Sequence, residues 1–311
     1  MNAIGAIAIT GLVLCGEIGH AADAVAESKS TNSVIVPIEG RRGRTMIRAR
    51  VNDSEPLLFL VDSGFAINMI SPEKAEALQL RRAGKITIVG VAGEERADTY
   101  EGVVFDFGSG FTYSARRVAS LPSHSSRLVR RDGVLGAGLY RQFIVEVDPA
   151  AKHLVLHRPD TFEYKGPGEI VPLKFRKSTP IMTASIVIPG QAPIQGDYEV
   201  DTGCDGGLCL GRDFVERTEL EEKLEPGKKS ARTGVGGEKK THSVRLPQLQ
   251  IGKLIVERPS ADLFEEGSPA DAGLAGHIGT EVWRQFRVIF DYSHRRLIME
   301  PLKTAAKPAS P

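Results

Sequence analysis

The chain sets out one ordered series of short motifs twice, and no other feature limits its fold so tightly. Five large apolar residues, Leu57-Leu58-Phe59-Leu60-Val61, run into Asp62-Ser63-Gly64, and Tyr198-Glu199-Val200 runs into Asp201-Thr202-Gly203. Downstream, Gly90-Val91-Ala92-Gly93-Glu94-Glu95 is answered by Gly234-Val235-Gly236-Gly237-Glu238-Lys239. Val134-Leu135-Gly136, with Leu139-Tyr140-Arg141-Gln142-Phe143 after it, is answered by His277-Ile278-Gly279, with Val282-Trp283-Arg284-Gln285-Phe286 after it. Each half closes on an apolar segment holding an aspartate, Ile144-Val145-Glu146-Val147-Asp148 and Val288-Ile289-Phe290-Asp291. Asp62 and Asp201 lie 139 residues apart, and Gly136 and Gly279 lie 143 apart, so the spacing holds across the unit. An ordered repeat of this kind is a duplication, and it predicts two like lobes.

A chain of 311 residues is long enough for each lobe to bury a core of its own. The expected lobes are residues 33–165 and 166–302. Their join lies near Tyr164-Lys165-Gly166-Pro167-Gly168, where Gly and Pro interrupt two strand-like runs. Residues 303–311, rich in Ala, Lys and Pro, are expected to be a disordered tail. Most of the remainder reads as short apolar or alternating segments separated by Gly, Pro, Asn and Asp, which is the signature of an all-β protein. Examples are Ser33-Val34-Ile35-Val36-Pro37-Ile38, residues 45–51, Ile86-Thr87-Ile88-Val89 and His153-Leu154-Val155-Leu156. Two helices are expected: one from Ser71-Pro72-Glu73, an N-cap with proline at the first helical position, toward Leu80, and one over residues 212–224.

Forty Lys and Arg against 39 Asp and Glu leave a formal charge of +1, which provides no general attraction to nucleic acid or to an anionic membrane. The basic runs Arg41-Arg42-Gly43-Arg44 and Arg130-Arg131 are read as solvated surface. Residues 3–15 form an apolar run too short for a straight transmembrane helix, and Ala21-Ala22-Asp23-Ala24 follows it. Residues 1–24 are therefore expected to be a signal peptide, and the mature chain to be exported, periplasmic or secreted, with no stable membrane span. Cys15, after Leu12-Val13-Leu14, leaves tethering through the N-terminal segment as the alternative. Beyond that segment only Cys204 and Cys209 remain. In an exported protein they could pair as a disulfide, or they could be two buried free thiols; two cysteines alone make no zinc site.

An unpaired carboxylate at the end of a buried strand costs several kcal/mol, roughly, so two such residues call for a reason. Two like halves packed about an approximate twofold axis would bring equivalent residues face to face, making Asp62 and Asp201 candidates for one shared site. Close carboxylates cannot both ionise easily, so one would hold a proton while the other stays charged. The glycines Gly64 and Gly203 let backbone approach the carboxylates, and the hydroxyls of Ser63 and Thr202 can hydrogen-bond across the join. Such a pair can hold one water: the ionised acid removes its proton as it attacks a carbonyl, and the protonated acid bonds the carbonyl oxygen and helps to protonate the leaving nitrogen. That chemistry calls for no metal and no cofactor.

At these residues the sequence resembles the aspartic proteases of the retropepsin-like and pepsin-like clan. Their pattern is an apolar run into D-[ST]-G, a glycine-containing flap hairpin, and a later hydrophobic-hydrophobic-Gly element. The resemblance covers nearly all of residues 34–302. It implies a bilobal, all-β acid-protease fold of two related barrel-like lobes with short helices. It implies Asp62 and Asp201 as the catalytic pair, supported by Ser63, Gly64, Thr202 and Gly203. It also matches Gly90, Val91, Ala92 and Gly93 to a substrate-binding flap and suggests a second in Gly234, Val235, Gly236 and Gly237, although ordinary hairpin turns would give the same glycines. Two flaps resemble a retroviral protease dimer fused into one chain. The sequence departs from the clan at the residue after D-[ST]-G, usually Ala or Ser and here Phe65 and Cys204, and at His277, which takes the first position of the last element.

The expected activity is that of an aspartic endopeptidase acting as a monomer on a peptide or protein substrate. The alternative is a peptide-binding protein of the same fold that no longer turns over, motivated by Phe65. His153 and His157 lie four residues apart on a strand, about 13 Å apart and too distant to share a metal. His277 stands where the first half has Val134 and is read as a locally satisfied histidine. Asp106-Phe107-Gly108 matches a kinase tripeptide without a catalytic loop or lysine strand to go with it. Asp148 and Asp291 lack the following Ser/Thr-Gly and are read as turn or strand-end residues.

Overall fold

The computed structural model describes residues 31–40, 43–90, 92–121, 131–267 and 273–302. The expected signal segment, the expected tail, Val91 and Arg41, Arg42 and Arg130 of the basic runs lie outside the described residues.

Hydrophobic period decides the strands. Ser33–Pro37 alternates exposed and buried residues and Met46–Val51 nearly does, each lying with one face on the core. Leu57–Val61 is almost continuously buried, as a strand covered on both faces should be. The expected helix after Ser71 forms over Pro72–Ala77, with the Ser71 hydroxyl accepting from the Lys74 N–H at 3.2 Å. It stops short of Leu80 because Gln79 turns left-handed at φ 50°. The second expected helix is likewise shorter, Arg212–Arg217, and is broken by Glu219 at φ 50° before a separate 3₁₀ turn at Glu221–Lys223. Two short helices absent from the expectation, Ala137–Gln142 and Thr280–Trp283, begin just after the repeated Gly136 and Gly279.

The duplication is visible strand by strand. A nine-stranded sheet from the first half runs Arg81–Gly90, Gly93–Glu101, Val118–Ser120, Asn68–Ile70, Gly133–Leu135, Leu57–Val61, Met46–Val51, Val103–Asp106, Thr112–Ala115. The sheet of the second half runs Lys228–Gly234, Gly237–Arg245, Ser260–Phe264, Leu208–Leu210, Gly276–Ile278, Ile194–Val200, Thr179–Val187, Gln248–Ile251, Leu254–Glu257, with Lys174–Arg176 added beside Thr179–Val187. Both contain the same parallel pair at the strand that leads to the acid: Val61 lies beside Leu135, and Val200 beside Ile278.

A third, six-stranded sheet is shared by the halves, in the order Ser33–Pro37, His153–His157, Ile144–Asp148, Phe286–Asp291, Arg296–Pro301, Glu169–Pro172. Its two central strands are equivalents in the repeat, and they pair antiparallel with Val145 opposite Phe290, Glu146 opposite Ile289 and Val147 opposite Val288. The approximate twofold axis therefore passes through the Glu146–Ile289 pair. One large apolar cluster spans both halves, from Ile47 and Phe59 to Val200, Leu263 and Phe290. Asp148 and Asp291 end their strands as read: Asp148 caps the turn at Ala150 and Ala151, and Asp291 accepts from Ser293, His294 and Arg296. No helix among the described residues is long and apolar enough to cross a membrane.

Candidate active site

The parallel pairs described above carry each acid out of its sheet in the same way. Asp62 N–H donates to the Leu135 carbonyl at 2.9 Å, and Asp201 N–H donates to the Ile278 carbonyl at 3.0 Å. The chain then turns so that the glycine N–H two residues on reaches back to the carboxylate: Gly64 N to Asp62 Oδ1 at 2.9 Å, Gly203 N to Asp201 Oδ1 at 2.8 Å. The two turns meet. Ser63 N–H donates to Thr202 Oγ1 at 2.9 Å, and Thr202 N–H donates in return to Ser63 Oγ at 3.1 Å. Each hydroxyl then donates onward, Ser63 to the Val200 carbonyl at 2.6 Å and Thr202 to the Val61 carbonyl at 3.0 Å. The four bonds obey the twofold, each buried hydroxyl accepting one and donating one.

This clasp puts each carboxylate over the other motif's glycine. A Cβ on Gly64 would stand 2.9 Å from Asp201 Oδ1, and one on Gly203 would overlap the Asp62 carboxyl outright. Asp62 is 3 % exposed. Burial, and then the charge of Asp201, push its carboxyl well above the usual range; Arg131 opposes this and Glu199 adds to it. Two carboxyls so placed, one of them favouring its proton, are the arrangement that can hold and polarise a single water.

The structure also brings to Asp201 residues to which the sequence reading gave no part in the site. The side chain of Asp201 receives, besides Gly203, the N–H of Cys204 at 3.1 Å and lies 3.4 Å from His277 Nδ1. His277 is in turn 3.7 Å from Glu199. The reading of His277 as locally satisfied is thus corrected: it bears on Asp201 itself, and its Nε2 is buried with no partner among the described residues. Its signal in the sequence was a histidine where the repeat has valine. Glu199 is 7 % exposed. Burial raises its pKa to about 7, with His277 working against the rise. Tyr140 supports the clasp from below, its hydroxyl 3.4 Å from Thr202 Oγ1. Cys204 and Cys209 are free thiols, their sulfurs 3.3 Å apart beside the second acid motif. Among the described residues no group of three or more His, Cys, Asp or Glu side chains is arranged to hold a metal ion.

Both glycine clusters lie at hairpin ends, closed by the pairs Gly90–Gly93 and Gly234–Gly237. The tips touch: Ala92 N–H donates to the Val235 carbonyl at 3.1 Å, and Gly236 N–H donates to Glu95 at 3.3 Å. Val235 is buried in an apolar cluster otherwise drawn from the first half, which includes Leu60, Met69, Ile88 and Val134 and has Phe65 packed against it.

A family model described as Aspartyl protease matches residues 47–139 and 184–282 of the chain. Among solved structures, the aspartic proteinase from Irpex lacteus is similar with a TM-score of 0.59 and 16% sequence identity, over 89% of this chain and 100% of that one. At that identity the likeness is one of fold. No curated protein sequence matches the chain.

Proposed function

The chain belongs to the aspartyl protease family, and from that premise we propose that it is an endopeptidase that hydrolyses peptide bonds with a water held between Asp62 and Asp201. The observation that carries the reading is the crossed clasp of Ser63 and Thr202, which fixes the two acid turns against one another. In the proposed reaction the ionised acid takes a proton from the water as its oxygen attacks the scissile carbonyl. The protonated acid bonds the carbonyl oxygen, and the leaving nitrogen is protonated as the C–N bond breaks. An extended substrate would lie beneath the tips at Gly90–Gly93 and Gly234–Gly237, held by strand-like backbone hydrogen bonds. Since the tips touch across the twofold, they part to admit it. Export of the chain without residues 1–24, and action as a monomer, belong to the same proposal.

Digestion of an unfolded protein between about pH 4 and 7, followed by mass spectrometry of the products, tests it. Wild type is expected to cut at internal bonds, and Asp62→Asn and Asp201→Asn each to lose about 10²-fold or more of the rate. Equal inertness of all three, with a peptide still bound, would identify a peptide-binding protein instead.

A further inference from the structure

The two halves differ at the layer beneath the hairpin tips. In the first half this layer contains Leu60, Met69 and Val134, all buried in one apolar cluster. Strand register gives their equivalents in the second half. Met46 faces Leu60 as Ile181 faces Glu199, so Leu60 corresponds to Glu199. Val134 faces Met69 as His277 faces Cys209, so Val134 corresponds to His277 and Met69 to Cys209. Three adjoining apolar positions have become a carboxyl, an imidazole and a thiol, all on the side of Asp201. Burying such groups is costly unless each is partnered, so the change calls for a function.

Resting on the dyad reading above, we infer that His277, set between Glu199 and Asp201, is a positioning residue that fixes which acid carries the charge: Asp201 is the base and Asp62 the proton donor. The donor count supports this independently of charge. Among the described residues Asp201 accepts from two backbone donors, Gly203 N and Cys204 N, with His277 Nδ1 3.4 Å away, whereas Asp62 accepts from Gly64 N. An anion is favoured where donors converge. Exposure agrees, since Asp62 is buried and Asp201 is half-buried.

The groups facing His277 are Asp201 and Glu199 on one strand and its turn, Cys209 on the strand opposite, and Cys204. Burial alone would lower its pKa, but the hydrogen bond to Asp201 and the charges of Glu199 and Asp201 raise it to about 10, so it is a cation at the pH of interest. Asp62 feels the opposing pull of Arg131, which is weaker than burial and the charge of Asp201 together. In the first step a water O–H breaks, its proton goes to Asp201, its oxygen bonds the carbonyl carbon, and the carbonyl oxygen takes the proton of Asp62. In the second the C–N bond breaks, the nitrogen takes the proton from Asp201, and a hydroxyl of the diol returns a proton to Asp62.

The test measures kcat/KM against pH for wild type, His277→Val (the residue of the other half) and His277→Gln, which can donate but is neutral. Nitrogen-15 spectra of the histidine side chains of wild type accompany it, assigned by substituting each of the other histidines in turn. Without the cation the acid limb of the profile is expected to move to higher pH by roughly one unit or more in both variants. An unmoved limb in an active wild type overturns the inference. Loss of packing alone would lower the rate without moving the limb. If the wild type cuts nothing, the protease reading fails on its own, and the spectra still decide. If the variants do not fold, the spectra decide as well. A His277 ring that remains an imidazolium up to about pH 9 supports its assigned charge, and one that titrates near the ordinary value of about 6.5 overturns it.

Discussion

Gly203 has no room for a side chain, because its missing Cβ would fall on the carboxyl of Asp62. Gly64, by contrast, would bring a Cβ to 2.9 Å from Asp201 Oδ1 and 3.0 Å from its Cγ, a milder overlap that a shift of the carboxylate against its bonds from Gly203 and Cys204 would relieve. Gly203→Ala is therefore expected to abolish cleavage and lower the melting temperature, and Gly64→Ala to keep measurable activity; assays of both variants at one pH check the order. In the clasp, Ser63→Ala strips the partner from the Thr202 N–H and frees the Val200 carbonyl. A buried N–H left alone costs about 1–3 kcal/mol. Thr202→Ala removes the corresponding bonds to Ser63 and Val61. Denaturant unfolding should register a loss of that size for each variant. At this scale the sequence was legible where a motif is contiguous, as in Asp62-Ser63-Gly64. It was mute on Glu199 and Tyr140, whose roles come from strands and helices that meet only in the fold.

The hairpin tips show the same division. Their glycines are apparent in the sequence, and so is a two-residue turn between them, but nothing local says that one tip will rest on the other. Val235 does so by burying itself among first-half residues. Gly236 makes it possible, with φ at +90° and a backbone so close to Gly93 that any Cβ would collide. Val235→Ser removes most of the apolar contact and should shift the tips toward their open state. Exchange of the Ala92 amide, which bonds the Val235 carbonyl, is expected to speed up by about tenfold, whereas amides of the six-stranded sheet should exchange as before. Helix lengths were the least legible elements: the patterns after Ser71 and from Arg212 are helical, but left-handed Gln79 and Glu219 end them early.

Across the whole molecule, the duplication was readable because both copies kept their order and spacing. The sheet that unites them was not, since the patterns of Ile144–Asp148 and Phe286–Asp291 do not reveal that these strands pair with each other. Beside the axis Glu146 binds Arg287 at 2.7 Å and His157 at 2.9 Å. Burial works against the Glu146 carboxylate, but these partners outweigh it and lower its pKa to about 2. Its contribution to stability is thus present above about pH 4.5 and lost as pH falls toward 2. Glu199 and His277 have raised pKa values, about 7 and about 10, so their contributions are complete at low pH and are lost as pH rises through those values. Melting temperature should therefore peak at mildly acidic pH, near about 4.5, and Glu146→Gln should flatten the acid side of the curve. Whether two carboxyls from two halves act on one substrate atom is decided by a crystal structure with a bound peptide bearing a secondary alcohol in place of the scissile carbonyl. That hydroxyl is expected within about 2.5–3.0 Å of both Asp62 and Asp201, with the peptide extended beneath the two tips. A peptide bound elsewhere, or a hydroxyl that touches neither acid, would contradict it.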